Sequence, residues 1–192
     1  MGPSASGKST IAKNTSLKPL ISHTTRDLGK GEKPGEEYYF ISKKEWKKKF
    51  KNKEFVEHTK YSGNFYSLSY KEIESKLEKH QDVYTIMDKN GVKQMKENYN
   101  TDKIKVIYVT APKWRIFRRL LKRKRNGIWE GIKRFFHAIS TGEFKNKDMA
   151  DLILNGDKGN LEKNVFLMQE EIDKNKHNFY KNKYKSLKGV KI

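Results

Sequence analysis

The sequence predicts a layered α/β domain with a parallel core sheet. Two apolar runs, 83–87 and 104–109, have the length and composition of buried parallel strands. A segment with helical periodicity, 91–97, lies between them, and alternation of strands with helices is typical of a parallel sheet covered by helices. The 192 residues correspond to one domain, or to one domain with an inserted lobe.

Local signals place the elements of the amino-terminal half. A Gly-rich loop precedes a short helix. Ser42 is a typical N-cap residue for a Lys-rich helix at 43–51, in which Trp46 and Phe50 lie four residues apart on the apolar face. A further helix is predicted at 70–80. Extended segments are predicted at 19–25, at 38–41 and, joined by a turn at 62–64, within 54–66.

The carboxy-terminal half contains three predicted helices and a short strand at 152–154. Pro112 begins the first helix, and the last helix ends near Ile172. From Lys174 to Ile192 there are seven Lys and no acidic residue, which we interpret as a basic tail of doubtful order. The second helix carries an apolar stripe and neighbouring aromatic residues that we expect in the core: Ile128, Trp129, Ile132, Phe135, Phe136 and Ile139.

The composition limits the class of protein. Lys and Arg number 43 against 23 Asp and Glu, giving a net charge of +20, but only seven of the basic residues are Arg. A Lys-rich surface lacks the guanidinium groups that read bases, so a nucleic-acid partner is possible but not favoured. The absence of Cys excludes disulfides. No apolar run approaches the about 20 residues of a membrane span, so we expect a cytoplasmic protein without a membrane partner.

The amino-terminal loop fits the pattern G-x-x-x-x-G-K-[ST] at every fixed position. Successive backbone N–H groups before a helix form a cradle for phosphate, Lys8 can reach the β and γ phosphates, and the Ser9 hydroxyl can bind Mg²⁺. The alternative is a Gly-rich turn before a helix. The predicted ATP-binding residues of the loop are Gly2, Ser4, Ala5, Ser6, Gly7, Lys8, Ser9 and Thr10.

A phosphate loop normally follows a buried strand, and only Met1 precedes Gly2 here. Either the chain begins upstream of Met1, or another segment fills the central strand position. We favour the first alternative, because an open position in a parallel sheet leaves two rows of backbone groups unpaired.

Several short motifs, at 22–26, 35–40, 54–57 and 62–66, resemble guanylate kinase in order and spacing. With the phosphate loop, the resemblance extends to about residue 157. It implies the three-layer fold of P-loop kinases, and transfer of the γ-phosphoryl group of ATP to GMP or dGMP with Mg²⁺. The implied layout is a core at 1–26, 82–117 and 135–173, a lobe that binds the nucleoside monophosphate at about 27–81, a lid at about 118–134 and the tail at 174–192.

The resemblance also implies the residues that bind the acceptor. Arg26, Tyr38 and Tyr66 would hold the phosphate of GMP, since one guanidinium and two phenols suit a dianion. Ser22 and Glu57 would face guanine. The alternatives are that both tyrosines are core aromatics and that Glu57 is an ordinary exposed strand residue.

On the donor side, the resemblance implies that Arg119, Arg123 and Arg134 in the lid neutralise charge on the transferred phosphoryl group. Asn155 would lie near the donor nucleotide. Asp88 would orient Mg²⁺ through water. A solvated basic helix face is the alternative for Arg119 and Arg123.

The chain departs from the family at several positions. Gly29 replaces an arginine, with Lys30 beside it as a substitute, and the lid segment at 124–129 differs. Leu68 replaces a Ser or Thr, and Ile86 replaces the first of two aspartates. Because both of those positions help to read guanine, the acceptor base stays open.

Three other functions remain as alternatives. The first is a kinase of the same superfamily that phosphorylates a ribosyl bisphosphate. The second is a non-catalytic binding module, although such modules usually lack the phosphate-loop lysine and serine. The third is a nucleic-acid surface on the lid and tail, which would bind with a steep dependence on salt. We expect a monomer or a homodimer.

Overall fold

The computed structural model describes residues 1–29, 31–61, 63–79, 82–99, 103–122 and 127–188. They form eight strands and seven α-helices, with two short 3-10 helices at Glu143–Met149 and Lys158–Asn160. In chain order, the elements are α1 (Lys8–Lys13), β1 (Lys18–Pro19), β2 (His23–Thr24), β3 (Tyr39–Phe40), α2 (Lys43–Lys51), β4 (Phe55–Tyr61), β5 (Asn64–Ser69), α3 (Tyr70–Leu77), β6 (Val83–Tyr84), α4 (Lys89–Asn98), β7 (Ile107–Thr110), α5 (Lys113–Leu121), α6 (Gly127–Ser140), β8 (Leu152–Asn155) and α7 (Leu161–Lys188).

The chain forms two compact units. The first comprises Met1 and Ser16–Val106, and the second comprises Gly2–Thr15 and Ile107–Ile192. The phosphate-loop motif and the predicted lid therefore belong to the second unit, and the residues predicted to bind the acceptor belong to the first. The division into core, lobe and lid stays a prediction.

The first unit contains a four-stranded sheet in the order β3-β2-β5-β4. Strand β2 pairs parallel to β3, and the other pairs are antiparallel. Side chains alternate along a strand, so this register creates two distinct faces. Helix α2 covers one of them, where Trp46 stacks on Phe65 with ring centroids 4.0 Å apart and its Nε1–H donates to Ser67 Oγ at 2.8 Å. The Ser42 side chain caps α2 as predicted, accepting from the N–H of Glu45.

Strand β4 carries a β-bulge. The register shifts between Phe55, opposite Ser69, and Glu57, opposite Leu68. The consecutive residues Val56 and Glu57 at this bulge are both buried. The alternative that Glu57 is an exposed strand residue is therefore wrong.

Two pairs of parallel strands confirm the prediction of parallel sheet. In the first unit β1 pairs with β6, and in the second unit β7 pairs with β8 from Ile107 opposite Leu152 to Thr110 opposite Asn155. The strand predicted at 83–87 is shorter than expected: β6 ends at Tyr84, its residues are half-buried, and the Ile86 side chain is 43% exposed.

The first unit has a core of Leu20, Val56, Leu68, Ile73 and Met95, to which α3 and α4 contribute. In the second unit the core contains Ala111, Ile116 and Leu120, with Phe135 of α6 packed against it.

Helix α6 buries less of its apolar surface than the sequence predicts. The Phe135 ring lies 4.9 Å from that of Phe117 of α5. Gly131 allows α6 to approach the backbone of α5 closely, because a Cβ at Gly131 would lie 2.8 Å from the carbonyl oxygen of Leu120. One edge of α6 therefore packs on α5. The prediction of core positions is wrong for four side chains, which are exposed: Ile128, Trp129, Phe136 and Ile139.

Helix α7 continues to Lys188, well beyond the predicted end of the last helix near Ile172. Its first half buries Asn164 and Met168. No helix within the described residues combines the length and apolar character that crossing a membrane requires.

Candidate active site

The phosphate-loop motif adopts a turn that leads directly into α1. Gly7 precedes the helix with φ of 108°, in the left-handed region, and no side chain caps the first turn. The Nζ of Lys8 donates to the carbonyl oxygens of Gly2 and Pro3, each at 2.7 Å. The buried Oγ of Ser6 has no hydrogen-bond partner among the described residues. The lysine is therefore held over a loop with an uncapped helix start, whose backbone N–H groups suit a phosphate group.

The loop packs against the chain that follows β8. A Cβ at Gly7 would lie 3.0 Å from the carbonyl oxygen of Gly156, and a Cβ at Gly156 would overlap the carbonyl oxygen of Ser6. Arg119 of α5 bridges the two segments. The Nη1 of Arg119 donates to the carbonyl oxygens of Ala5 at 3.3 Å and Gly156 at 3.0 Å.

Asp157 completes this arrangement. Its carboxylate pairs with Arg115 at 2.6 Å and with Arg119 at 3.3 Å. The structure thus places Arg119 beside the phosphate loop, where its guanidinium contacts the carbonyls of Ala5 and Gly156 and the carboxylate of Asp157. Its role in neutralising a phosphoryl group stays a prediction.

The other predicted donor-side residues lie in the same unit. The Asn155 Oδ1 accepts from the N–H of Asp157 at 3.2 Å, and the Asn155 carbonyl accepts from Asn164 Nδ2 at 2.6 Å. Arg134 pairs with Glu130, one turn earlier on α6, at 3.0 Å. Ser9 and Thr10 are exposed at the start of α1. Arg123 lies outside the described residues.

In the first unit, the register brings together the three residues predicted to hold the acceptor phosphate. The Tyr38 and Tyr66 rings meet edge to face at 5.7 Å, and the Arg26 guanidinium lies 5.6 Å from the centre of the Tyr38 ring and 5.4 Å from that of Phe40. The Tyr66 side chain also lies close enough to Arg26 to interact with it electrostatically. Burial, as the largest cause, raises the pKa of Tyr38, so its phenol stays a hydrogen-bond donor at neutral pH. One guanidinium and two phenols thus converge.

Glu32 holds Arg26 in this cluster. Its carboxylate pairs with Arg26 at 2.9 Å and accepts from the N–H of Gly29 at 2.8 Å. The Arg26 Nη1 also donates to the carbonyl of Asp27 at 2.8 Å. The Glu32 side chain is largely buried, so the pair is more than a solvated surface contact.

Glu57 shares a sheet face with this cluster. It lies opposite Leu68 on β5, two residues from Tyr66, and Tyr66 in turn lies opposite Thr59 and Thr24. Glu57 is 6% exposed. Burial, with the nearby charge of Asp88 as a second cause, raises the pKa of Glu57 to about 7, and a hydrogen bond from the backbone of Leu68 opposes this. The carboxyl is therefore poised between its two protonation states near neutral pH.

Asp88 has a structural role at the start of α4. Its Oδ1 accepts from the N–H of Gly91 at 2.8 Å and its Oδ2 accepts from Thr59 Oγ1 at 3.2 Å. Gly91 also leaves room for Glu57, because a Cβ there would lie 3.1 Å from Glu57 Oε2. The structure thus brings Asp88 close to Glu57.

The family departures have visible consequences. Leu68 is fully buried in the core of the first unit, whereas the Ile86 side chain is exposed. Neither side chain has a polar group with which to contact a base. Gly29 contributes only its backbone N–H, to Glu32. Ser22 is half-buried, and its carbonyl accepts from the N–H of Tyr39 at 2.9 Å.

Sequence reasoning missed several residues of the site. Glu32 lies among other carboxylates in a Gly-rich loop, so nothing local distinguishes it. A Gly two residues after a predicted strand could have pointed to Gly156, because such a residue often marks a close backbone approach. Asp157, the next residue, could not be recognised from the sequence, because its role depends on ion pairs with Arg115 and Arg119 of α5.

Comparisons with known proteins agree with these motifs. The family model described as guanylate kinase matches residues 1–175. The guanylate kinase of Wigglesworthia glossinidia brevipalpis is 34% identical over 141 residues, covering 70% of this chain and 68% of that protein. The guanylate kinase of Buchnera aphidicola subsp. Schizaphis graminum is 32% identical over 191 residues, covering 92% of this chain and 90% of that protein.

Among solved structures, the crystal structure of guanylate kinase from Anaplasma phagocytophilum has a TM-score of 0.64 at 22% sequence identity, covering 88% of this chain and 79% of that chain. This similarity confirms the predicted α/β fold of the P-loop kinases. The family model spans most of the residues, and a relative more than 30% identical extends over nine-tenths of them; the chain belongs to the guanylate kinase family.

Proposed function

We propose that this chain transfers the γ-phosphoryl group of ATP to GMP or dGMP. Membership of the guanylate kinase family, whose members are ATP-dependent phosphotransferases, supports this function. The observation that carries the proposal is the grouping of Arg26, Tyr38 and Tyr66 on the sheet face that also presents Glu57. A nucleoside monophosphate offers a dianion and a base edge, and this face has groups for both.

The phosphate of the acceptor would bind to the cluster around Arg26. The guanidinium supplies charge-assisted donors in a planar fork, and the two phenols add neutral donors. Because Glu32 already pairs with Arg26, the guanidinium has a fixed position before the acceptor arrives, and less side-chain entropy is lost on binding.

Guanine would be read by Glu57, with Ser22 as a second contact. An ionised carboxylate accepts from the N1 and N2 hydrogens of guanine together, an edge that adenine does not offer. Leu68 and Ile86 supply no polar group, so we propose that Glu57 provides most of the discrimination between bases.

The donor nucleotide would bind to the phosphate loop of the second unit, with Asn155 near its base or sugar. The charge of Lys8 and the N–H groups of the loop suit the β and γ phosphates. Within the described residues, no cluster of three or more His, Cys, Asp or Glu could hold a metal by itself. Mg²⁺ keeps several waters and is usually bound through substrate phosphates, so it needs few protein ligands.

The Ser9 hydroxyl would hold Mg²⁺, and Asp88 would orient it through water. When bound, Mg²⁺ supplies positive charge between the phosphates. Phosphoryl transfer demands positioning and charge neutralisation rather than covalent catalysis. We propose Lys8, Arg119, Arg123 and Arg134 for that neutralisation.

The function is tested by measuring ADP release with ATP, Mg²⁺ and a panel of nucleoside monophosphates. We expect turnover with GMP and dGMP, loss of turnover on chelation of Mg²⁺, and loss in Lys8→Ala. Lys13→Ala is the matched control, because it removes the same charge from an exposed position of the same helix. A folded protein that binds ATP but phosphorylates no member of the panel would contradict the proposal and favour a binding module.

A further inference from the structure

Glu72 is a buried carboxylate that the proposed function does not use. It lies in the first turn of α3 and is 6% exposed. Burying a carboxylate is costly unless hydrogen bonds compensate its lost hydration. The hydrogen-bond partners of the Glu72 carboxylate should therefore indicate why an acidic residue is buried at this position.

Each oxygen of Glu72 accepts a hydrogen bond from a different segment of the first unit. Oε1 accepts from the backbone N–H of Ile21 at 2.9 Å, and Oε2 accepts from the hydroxyl of Tyr39 at 3.0 Å. The backbone N–H of Glu72 itself donates to the Ser69 side chain at 3.3 Å. One carboxylate thus joins α3, the chain before β2 and strand β3.

Both segments adjoin residues that we propose to bind the acceptor. Ile21 immediately precedes Ser22, and Tyr39 immediately follows Tyr38. A backbone bond from the Tyr39 N–H to the Ser22 carbonyl, at 2.9 Å, connects the two segments directly. Ser22 is the proposed base contact and Tyr38 the proposed phosphate contact. Their relative position therefore depends on the two segments that Glu72 joins through Ile21 and Tyr39.

We propose that Glu72 is a positioning residue for the acceptor nucleotide, holding Ser22 and Tyr38 in the spacing that a nucleoside monophosphate requires. This inference rests on the proposed function. Glu72 does not contact the acceptor in this account, but acts through Ile21 and Tyr39. Small displacements of positioning groups have large effects on binding and rate.

The chemistry of the two donors makes a rescue test available. Both are neutral, so the charge of Glu72 is not needed for either bond. In Glu72→Gln, the amide oxygen can accept from Ile21 and the amide N–H₂ can donate to the Tyr39 hydroxyl oxygen. In Glu72→Leu, both bonds are lost and the Ile21 N–H is left without this partner. Tyr39→Phe removes one bond alone.

The experiment measures KM for GMP, KM for ATP and kcat for the full chain, with thermal unfolding and calorimetric binding of GMP without ATP. We expect Glu72→Leu to raise the KM and Kd for GMP about tenfold and Tyr39→Phe to raise them about threefold, as the loss of one or two hydrogen bonds implies. The KM for ATP should change less than about twofold, since the phosphate loop belongs to the second unit. Glu72→Gln should stay near wild type.

Glu74→Gln is the matched control, because Glu74 is exposed on the same helix, and it should leave every constant unchanged. Equal rises in both KM values, or an unchanged Kd for GMP in Glu72→Leu, would overturn the inference. Should Glu72→Leu fail to fold, Tyr39→Phe decides: an unchanged Kd for GMP there overturns the inference as well. Wild-type protein that binds GMP without turnover would instead contradict the proposed function, and wild-type protein that neither binds nor phosphorylates GMP would contradict both.

Discussion

The two units assemble their polar groups in different ways. In the second unit the phosphate loop is one continuous stretch, and the Nζ of Lys8 bonds to carbonyls only five and six residues away. In the first unit Arg26, Tyr38, Glu57 and Tyr66 come from separate segments that the sheet register aligns. A contiguous loop depends on local backbone space, whereas an assembled face depends on long-range partners. The two units should therefore fail in response to different kinds of mutation.

The largest expected effect is in the second unit, from Gly156→Ala. A Cβ at Gly156 would overlap the carbonyl oxygen of Ser6, so the loop must shift away from β8. We expect the kcat/KM for ATP to fall at least about a hundredfold, since a displaced donor phosphate is no longer positioned. The measurement is steady-state kinetics at saturating GMP.

Gly159→Ala is the control for this prediction, because a Cβ at Gly159 meets nothing within 4 Å. Wild-type kinetics in Gly156→Ala would show that the close approach does not matter to the loop. Equal losses in both variants would mean that any added side chain in this segment disturbs it.

A smaller effect is expected in the first unit from Glu32→Gln. The amide keeps the shape of Glu32 but loses the charge that pairs with Arg26 at 2.9 Å. We expect the kcat/KM for GMP to fall about tenfold, as for other charge-assisted bonds, with little change in the KM for ATP. Glu36→Gln serves as the comparison, since the Glu36 side chain is well exposed in its pair with Lys33. A larger loss with Glu36→Gln would refute this assignment.

A third prediction concerns pH. Burial raises the pKa of Glu57 to about 7, and the contact with guanine that we propose requires the ionised carboxylate. The ionised fraction rises from about a tenth at pH 6 to about nine-tenths at pH 8, so the Kd for GMP should fall almost tenfold over that range. Because the phosphate of GMP also titrates near pH 6, Glu57→Gln provides the reference, and its profile should lack the Glu57 contribution. Identical profiles would contradict this role of Glu57.

The same shift has a consequence for stability. The folded pKa of Glu57 lies above its ordinary value of 4.5, so the folded state holds the proton more tightly than the unfolded state. The contribution of Glu57 to the free energy of unfolding is fully present below pH 4.5 and is lost as pH rises through about 7. Urea unfolding of wild type and Glu57→Gln across this range would measure it.

The smallest expected effect comes from Thr59→Val. This change removes one hydrogen bond, from Thr59 Oγ1 to Asp88 at 3.2 Å, and Asp88 is exposed and still caps α4. We expect the free energy of unfolding to fall by about 0.5–1 kcal/mol, without loss of acceptor binding. Thr59→Ser keeps the hydroxyl and should be less destabilised than Thr59→Val. Unchanged stability in Thr59→Val would show that this hydrogen bond contributes nothing measurable.

The local features of the fold and site could be predicted from the sequence. The phosphate loop and the Ser42 cap depend on neighbours within a few residues, and the ordered motifs identified the family, which the comparisons confirm. The length of β6 could not be predicted, because partners elsewhere decide where an apolar run leaves a sheet. Nor could the burial of Glu57, because it depends on packing partners distant in the sequence, which cover both faces of the sheet. The exposed side of α6 was missed because composition does not show how much of a helix its neighbour covers.

The extra residue in β4 offers a means of adjusting the chemistry of the first unit. It places an aliphatic side chain, Val56, and an acidic one, Glu57, next to each other out of reach of solvent. We infer that Val56 helps to keep water away from the Glu57 carboxyl. Trimming Val56 to Ala should admit water beside Glu57 and make it a stronger acid, which would move the working range of the enzyme towards lower pH without touching a residue that meets either nucleotide.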